Sequence, residues 1–156
     1  MIDNYFDSEI FDGIDFTKEK IIKGEYIDCV FEHCNFENVH ISNIQFIGCE
    51  FIDCNLSNVI VTNTSFKEIQ FTICKMIGVK FNECNPFLLQ MSFTICNLSY
   101  SSFYQLKIPN SVFNECKLEE VDFTETNLTG SWFNISELKN SIFDNTNLEK
   151  ANFITS

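Results

Sequence analysis

Eight cysteines, two histidines and 22 acidic side chains are the groups in this 156-residue sequence that could do chemistry. The cysteines stand at 29, 34, 49, 54, 74, 84, 96 and 116. A disulfide framework or a zinc cluster would set them at loop spacings such as CxxC, and no pair has that spacing. His33 and His40 are the only histidines, and no Ser or Cys sits in a nucleophile elbow or beside a His partner. With 5 glycines and neither a GxGxxG nor a P-loop, nothing cradles a phosphate. The sequence therefore reads as a non-enzyme with no catalytic, cofactor-binding or metal-binding residues, its histidines solvated and its cysteines structural.

The cysteines belong to a grid that runs along the chain. Large apolar residues recur every five positions: Phe93, Leu98, Phe103, Ile108, Phe113, Leu118, Phe123, Leu128, Phe133, Leu138, Phe143, Leu148, Phe153. On a helix, five steps of about 100° leave successive rungs about 140° apart, and on a strand they fall on alternate faces. A chain that turns about a quarter circle every five residues would instead aim every rung at one axis. The same grid holds from Tyr26 through Phe31, Phe36, Ile41, Phe46, Phe51, Leu56, Val61, Phe66, Phe71 and Met76 to Phe81. Two residues before each rung stands a small or β-branched residue, and every cysteine is at that position. Residues two apart in an extended segment point the same way, so both face inward. A buried free Cys behaves there as a small hydrophobe.

Residues 20 apart should then stack. Phe31, Phe51, Phe71, Phe93, Phe113, Phe133 and Phe153 do so, with one step of 22, and Cys34, Cys54, Cys74, Cys96 and Cys116 repeat both the spacing and the slip. Four units make one coil, and 26 units predict about six and a half coils over residues 24–156. Residues 1–23 are expected to form a short irregular N-terminal cap, because Asn4, Glu9 and Glu19 do not suit the inward position. Asp15 or Thr17 would cap a short helical turn over Lys18 to Lys23, with Gly24 as its left-handed stop. The acids between Asp3 and Asp15 read as a solvated surface or frayed arm. The two-residue insertion is placed near 86–87, at Pro86 and Phe87, with Leu88 as the next rung. It is either a silent bulge or a contact made by an exposed Phe87.

CNLSN (54–58), CNLSY (96–100), TNLTG (126–130) and TNLEK (146–150) resemble the A(D/N)LXX motif of pentapeptide-repeat proteins, with Cys or Thr in place of Ala. The resemblance implies an all-β, right-handed quadrilateral β-helix. The quinolone-resistance branch of that family consists of acidic dimeric rods that mimic DNA and bind type II topoisomerases. This chain departs from that branch in having only a two-residue insertion where such proteins project loops, and no C-terminal helix.

A net charge of -12 without arginine argues against direct nucleic-acid binding. No apolar run approaches the ~20 residues needed to span a membrane, and the start at Met1 to Asn4 lacks a signal peptide, which reads as cytoplasmic. The outward positions supply the remaining candidates. Glu115, Glu119, Glu120, Asp122 and Glu125 are either solvated surface or a mimic of DNA phosphates presented to a gyrase or another DNA-binding protein. Trp132 and Ile135, with Ile52, Ile73, Ile95, Val112 and Ile154, make one face apolar enough for a partner or a second copy. Only Ile154, Thr155 and Ser156 follow Phe153, which predicts a truncated chain or end-to-end stacking. Two roles remain: an acidic interaction protein, and a structural solenoid that self-associates as a homodimer or end to end.

Overall fold

The computed structural model describes residues 4–154, so the readings made on Met1–Asp3 and on Thr155 and Ser156 lie outside the described residues. Twelve short strands wind into a quadrilateral β-helix: β1 (Tyr5–Asp7), β2 (Ile10–Asp12), β3 (Glu25–Ile27), β4 (Val30–Glu32), β5 (Gln45–Ile47), β6 (Glu50–Ile52), β7 (Ser65–Lys67), β8 (Ile69–Thr72), β9 (Met91–Thr94), β10 (Val112–Asn114), β11 (Trp132–Asn134) and β12 (Asn152–Ile154). One side is an eight-stranded sheet in the order β12-β11-β10-β9-β8-β6-β4-β2, and a second is the four-stranded sheet β1-β3-β5-β7. All pairings are parallel. The two remaining sides are joined by single bridges such as Asn35 to Asn55 and Asp122 to Ile142.

Each five-residue unit is an extended stretch ended by one left-handed residue. Asn38, Asn58, Asn63 and Asn110 take φ of 59, 53, 55 and 58° at such corners. Asn tolerates this region because its short polar side chain offsets part of the Cβ penalty. The corners turn the chain about a quarter circle, and the rungs meet on the axis. Twelve phenylalanines are fully buried there. Rings one coil apart stack, as Phe93 on Phe113 at 5.3 Å and Phe113 on Phe133 at 5.0 Å, while rings across the interior meet edge to face, as Phe103 and Phe113 at 5.8 Å. Both arrangements suit the ring quadrupole.

The regular coils begin earlier than residue 24. β1 pairs with β3 and β2 with β4 in the same register as later coils, and Phe6 and Phe11 stack on Tyr26 and Phe31 at 4.6 and 4.8 Å. The rod therefore has about eight coils rather than six and a half. Asn4 and Glu9 fit because in the first coil the inward position still reaches solvent, and both are exposed. The short helical turn expected over Lys18 to Lys23 is instead a hydrogen-bonded turn over residues 16–18. Asp15 does act as its cap: Oδ1 accepts from the Thr17 N–H at 3.0 Å, and the Lys18 and Glu19 N–H groups donate to its carbonyl. Gly24 is not left-handed. It is needed for a close approach, since a Cβ there would lie 2.5 Å from the Asn4 carbonyl oxygen.

The insertion also sits later than expected. Ser65 bridges Asn85, a step of 20, and Ile69 pairs with Met91, a step of 22, so the register changes between 85 and 91. Pro86 takes the place of the rung, and Leu88 is not a rung but a left-handed corner with φ 53°, 65 % exposed. The two extra residues are Leu89 and Gln90. Leu89 folds back against the core where Pro86 cannot reach, which keeps the interior filled. The four-stranded sheet ends at β7 because of this interruption, while the eight-stranded sheet passes through it.

Candidate functional site

All eight cysteines carry free, buried thiols. Burial pushes Cys49 and Cys84 up to about 12, which suppresses the nucleophilic thiolate at neutral pH. Seven of the eight have a further role that spacing alone did not reveal. Each thiol donates to the backbone carbonyl of a rung in the preceding coil, as Cys54 to Phe31 at 3.2 Å and Cys116 to Phe93 at 3.4 Å. Ser136 to Phe113 at 2.9 Å and Thr126 to Phe103 at 2.8 Å do the same at equivalent positions. Cys, Ser and Thr share the inward position because each is small and each brings a donor to a buried carbonyl.

With the interior accounted for, function falls to the outward residues. Glu115, Glu120 and Glu125 occupy three successive left-handed corners of one coil, each at φ 53°. They point away from the rod in different directions, with Glu119 and Asp122 between them, and form a girdle rather than one patch. Lys117 Nζ lies 3.8 Å from Glu119, and Gln105 donates to Glu125 at 2.8 Å. Glu115 shares its corner row with Ile73, Ile95 and Ile135, which are about half exposed. Those isoleucines are also left-handed, at φ 54°. A β-branched residue there is an outlier, because its branched Cβ crowds the backbone.

Trp132 (44 % exposed) and Val112 project from β11 and β10 on the other flank of the same sheet, and Ile154 and Phe153 are exposed on β12. Phe87 lies on the insertion corner, away from this surface, with Lys67 Nζ 5.3 Å from its ring centre. The apolar candidates and Glu115 therefore meet along the eight-stranded side, while Phe87 and the other acidic candidates stand apart.

Sequence reading missed His33 as a structural link. Its Nδ1 lies 2.9 Å from Asp12 Oδ1 and its Nε2 3.6 Å from Asp53 Oδ2, so one imidazole spans three coils. Its pKa is raised, chiefly by the hydrogen bond to Asp12, with Asp12, Asp53 and Glu32 adding charge. Ligand atoms of Asp12, Glu32 and His33 lie within 4.8 Å of one another, close enough to share a cation. Once protonated, the imidazole would itself supply the positive charge there. The signal that could have found it was the spacing of 21 and 20 residues between Asp12, His33 and Asp53, one coil each once the corners are known.

Among the described residues, no helix is long and apolar enough to cross a membrane. A family model described as a pentapeptide repeat region matches residues 25–86 and 78–153. No curated protein sequence matches the chain. A trypsin-treated form of QnrB1, a plasmid-mediated fluoroquinolone resistance protein, superposes with a TM-score of 0.50 at 20 % identity, covering 96 % of this chain and 80 % of that one. Full-length QnrB1 gives 0.46 at 18 % identity, covering 96 % and 93 %. HetL, a pentapeptide repeat protein involved in heterocyst differentiation regulation in the cyanobacterium Nostoc, gives 0.33 at 10 %, covering 94 % and 86 %.

Proposed function

The chain belongs to the pentapeptide-repeat family, and from that premise we propose that it is a non-catalytic interaction protein whose acidic rod occupies the basic groove of a DNA-binding partner. A type II topoisomerase such as gyrase is the partner to test, on the likeness of fold to a fluoroquinolone resistance protein. The observation that carries this reading is the linear charge of the rod. Eight coils at a spacing of about 4.8 Å give a length of roughly 35 Å. A net charge of -12 over that length is about one charge per 3 Å, roughly half the density of B-DNA at about one per 1.7 Å. Such a rod would be steered to a groove built for phosphates, and salt would weaken the complex.

A supercoiling assay with purified gyrase, with and without a quinolone, tests the reading. Inhibition or protection at micromolar protein, lost when Glu115, Glu120 and Glu125 are changed to Gln, is the expected result. No effect in either arm would sink it.

Self-association is a second reading, favoured by the half-exposed Trp132 beside Val112 on the eight-stranded side. Under it the protein is a homodimer joined through this face. Sedimentation should then show a species that Trp132→Glu converts to monomer, and a wild-type monomer would count against it.

A further inference from the structure

The side of the first coil formed by residues 17–23 is open toward the coil that follows it. Between the second and third coils this side is closed: the Ile41 N–H donates to the Ile60 carbonyl and the Ile60 N–H to the Val39 carbonyl. No backbone hydrogen bond joins residues 17–23 to residues 37–43. The turn capped by Asp15 draws the Lys18 and Glu19 N–H groups back to Asp15 and pulls the segment out of register. Ile21 still anchors it in the core, 5 % exposed.

The resulting wedge is a cavity of about 680 Å³ with Phe16, Ile21 and Val39 as its apolar floor. That volume is in the range of small-molecule sites, which bury an apolar body and fix it with a few polar groups. Its rim is cationic in an otherwise acidic protein. Lys20 and Lys23 line it beside His40. Glu37 is the carboxylate among the lining residues, and its Oε2 lies 3.5 Å from Asn55 Nδ2, drawn toward the next coil. The His40 N–H is equivalent to the Ile60 N–H that donates to the coil below, and it has no backbone acceptor among the described residues. Two ammonium groups and a free backbone donor thus border an apolar floor.

We infer that this cavity is a binding site for a small organic anion, a carboxylate or similar head group on an apolar body, with the head held by Lys20, Lys23 and the His40 N–H. A free backbone donor and paired lysines are what an oxyanion requires. The floor supplies burial for the apolar part.

The test uses the full chain, ¹⁵N-labelled, titrated with sodium octanoate and, separately, with octylamine and sodium acetate. Octanoate should move the amides of residues 16–23 and 35–41, saturably. Lys20→Glu/Lys23→Glu, which changes two exposed side chains, should weaken it at least tenfold, with the unbound spectrum otherwise preserved. Acetate, lacking the apolar body, and octylamine, carrying the wrong charge, should not saturate the site at the same concentration. Equal binding of octylamine, shifts centred elsewhere on the rod, an unchanged affinity in the double variant, or no shift at millimolar octanoate would each overturn the inference.

Discussion

The thiol of Cys74 donates to the backbone carbonyl of Phe51, one coil below, at 3.2 Å. The contact is fully buried, and the strand register also places the Thr72 N–H on this carbonyl, so a side chain without a donor loses one of its two hydrogen bonds, at a cost of about 0.5–1.5 kcal/mol. Ser136 makes the same bond two coils beyond Cys96 in this column. Cys74→Ser should therefore be better tolerated than Cys74→Val, although Val is the more apolar residue. Urea unfolding of both variants checks this, and a Val variant as stable as the Ser variant would refute it.

The left-handed isoleucines suggest a stabilising change. Ile95 is half exposed at φ 54°, where asparagine serves at many other corners. Ile95→Asn should raise stability by about 1 kcal/mol through relief of the Cβ clash. Thermal melting of the variant reads the effect. A fall of similar size would mean that the packing of Ile95 outweighs its strain.

Phe113 stacks on Phe93 and Phe133 and meets Phe103 and Phe123 edge to face. Phe113→Ala should cost about 3–5 kcal/mol. Because each coil contacts only its neighbours, the damage should also divide the rod, and hydrogen exchange should quicken most in the adjacent coils. Phe113→Leu should cost less, since Leu118 and Leu128 fill the same interior on neighbouring sides. Uniform exchange along the chain would contradict this.

His33 makes the protein sensitive to pH in a defined direction. Its folded pKa is raised above the ordinary 6.5 by Asp12, so its contribution is fully present below about that pH and is lost as pH rises through the folded value. An NMR titration of the imidazole should give a midpoint above 6.5, lowered by Asp12→Asn and by high salt. A midpoint at or below 6.5 would show that the carboxylates do not hold the charged ring. His33→Gln should flatten the stability profile between pH 6 and 8.

The sequence by itself determined the coil. A five-residue period fits neither helix nor strand, so the alternation of large rungs such as Leu118 with small partners such as Cys116 left one arrangement that buries both, and the stacking interval of 20 followed. Only the tertiary structure decided where the pattern bends its own rules. Asn4 and Glu9 looked unfit for an inward position, yet the first coil is open to water there. Pro86 and Leu88 looked like insertion and rung, yet register along Ser65 and Ile69 makes them rung and corner and leaves Leu89 to fill the gap. These outcomes depend on which backbone groups find partners in the next coil, a relation between residues about 20 apart that local composition does not carry. The same holds for the outward groups. That Asp12, His33 and Asp53 form one link, that Glu115 shares a row with three isoleucines, and that Lys20 and Lys23 border a cavity all follow from how corners stack, not from their neighbours in the chain.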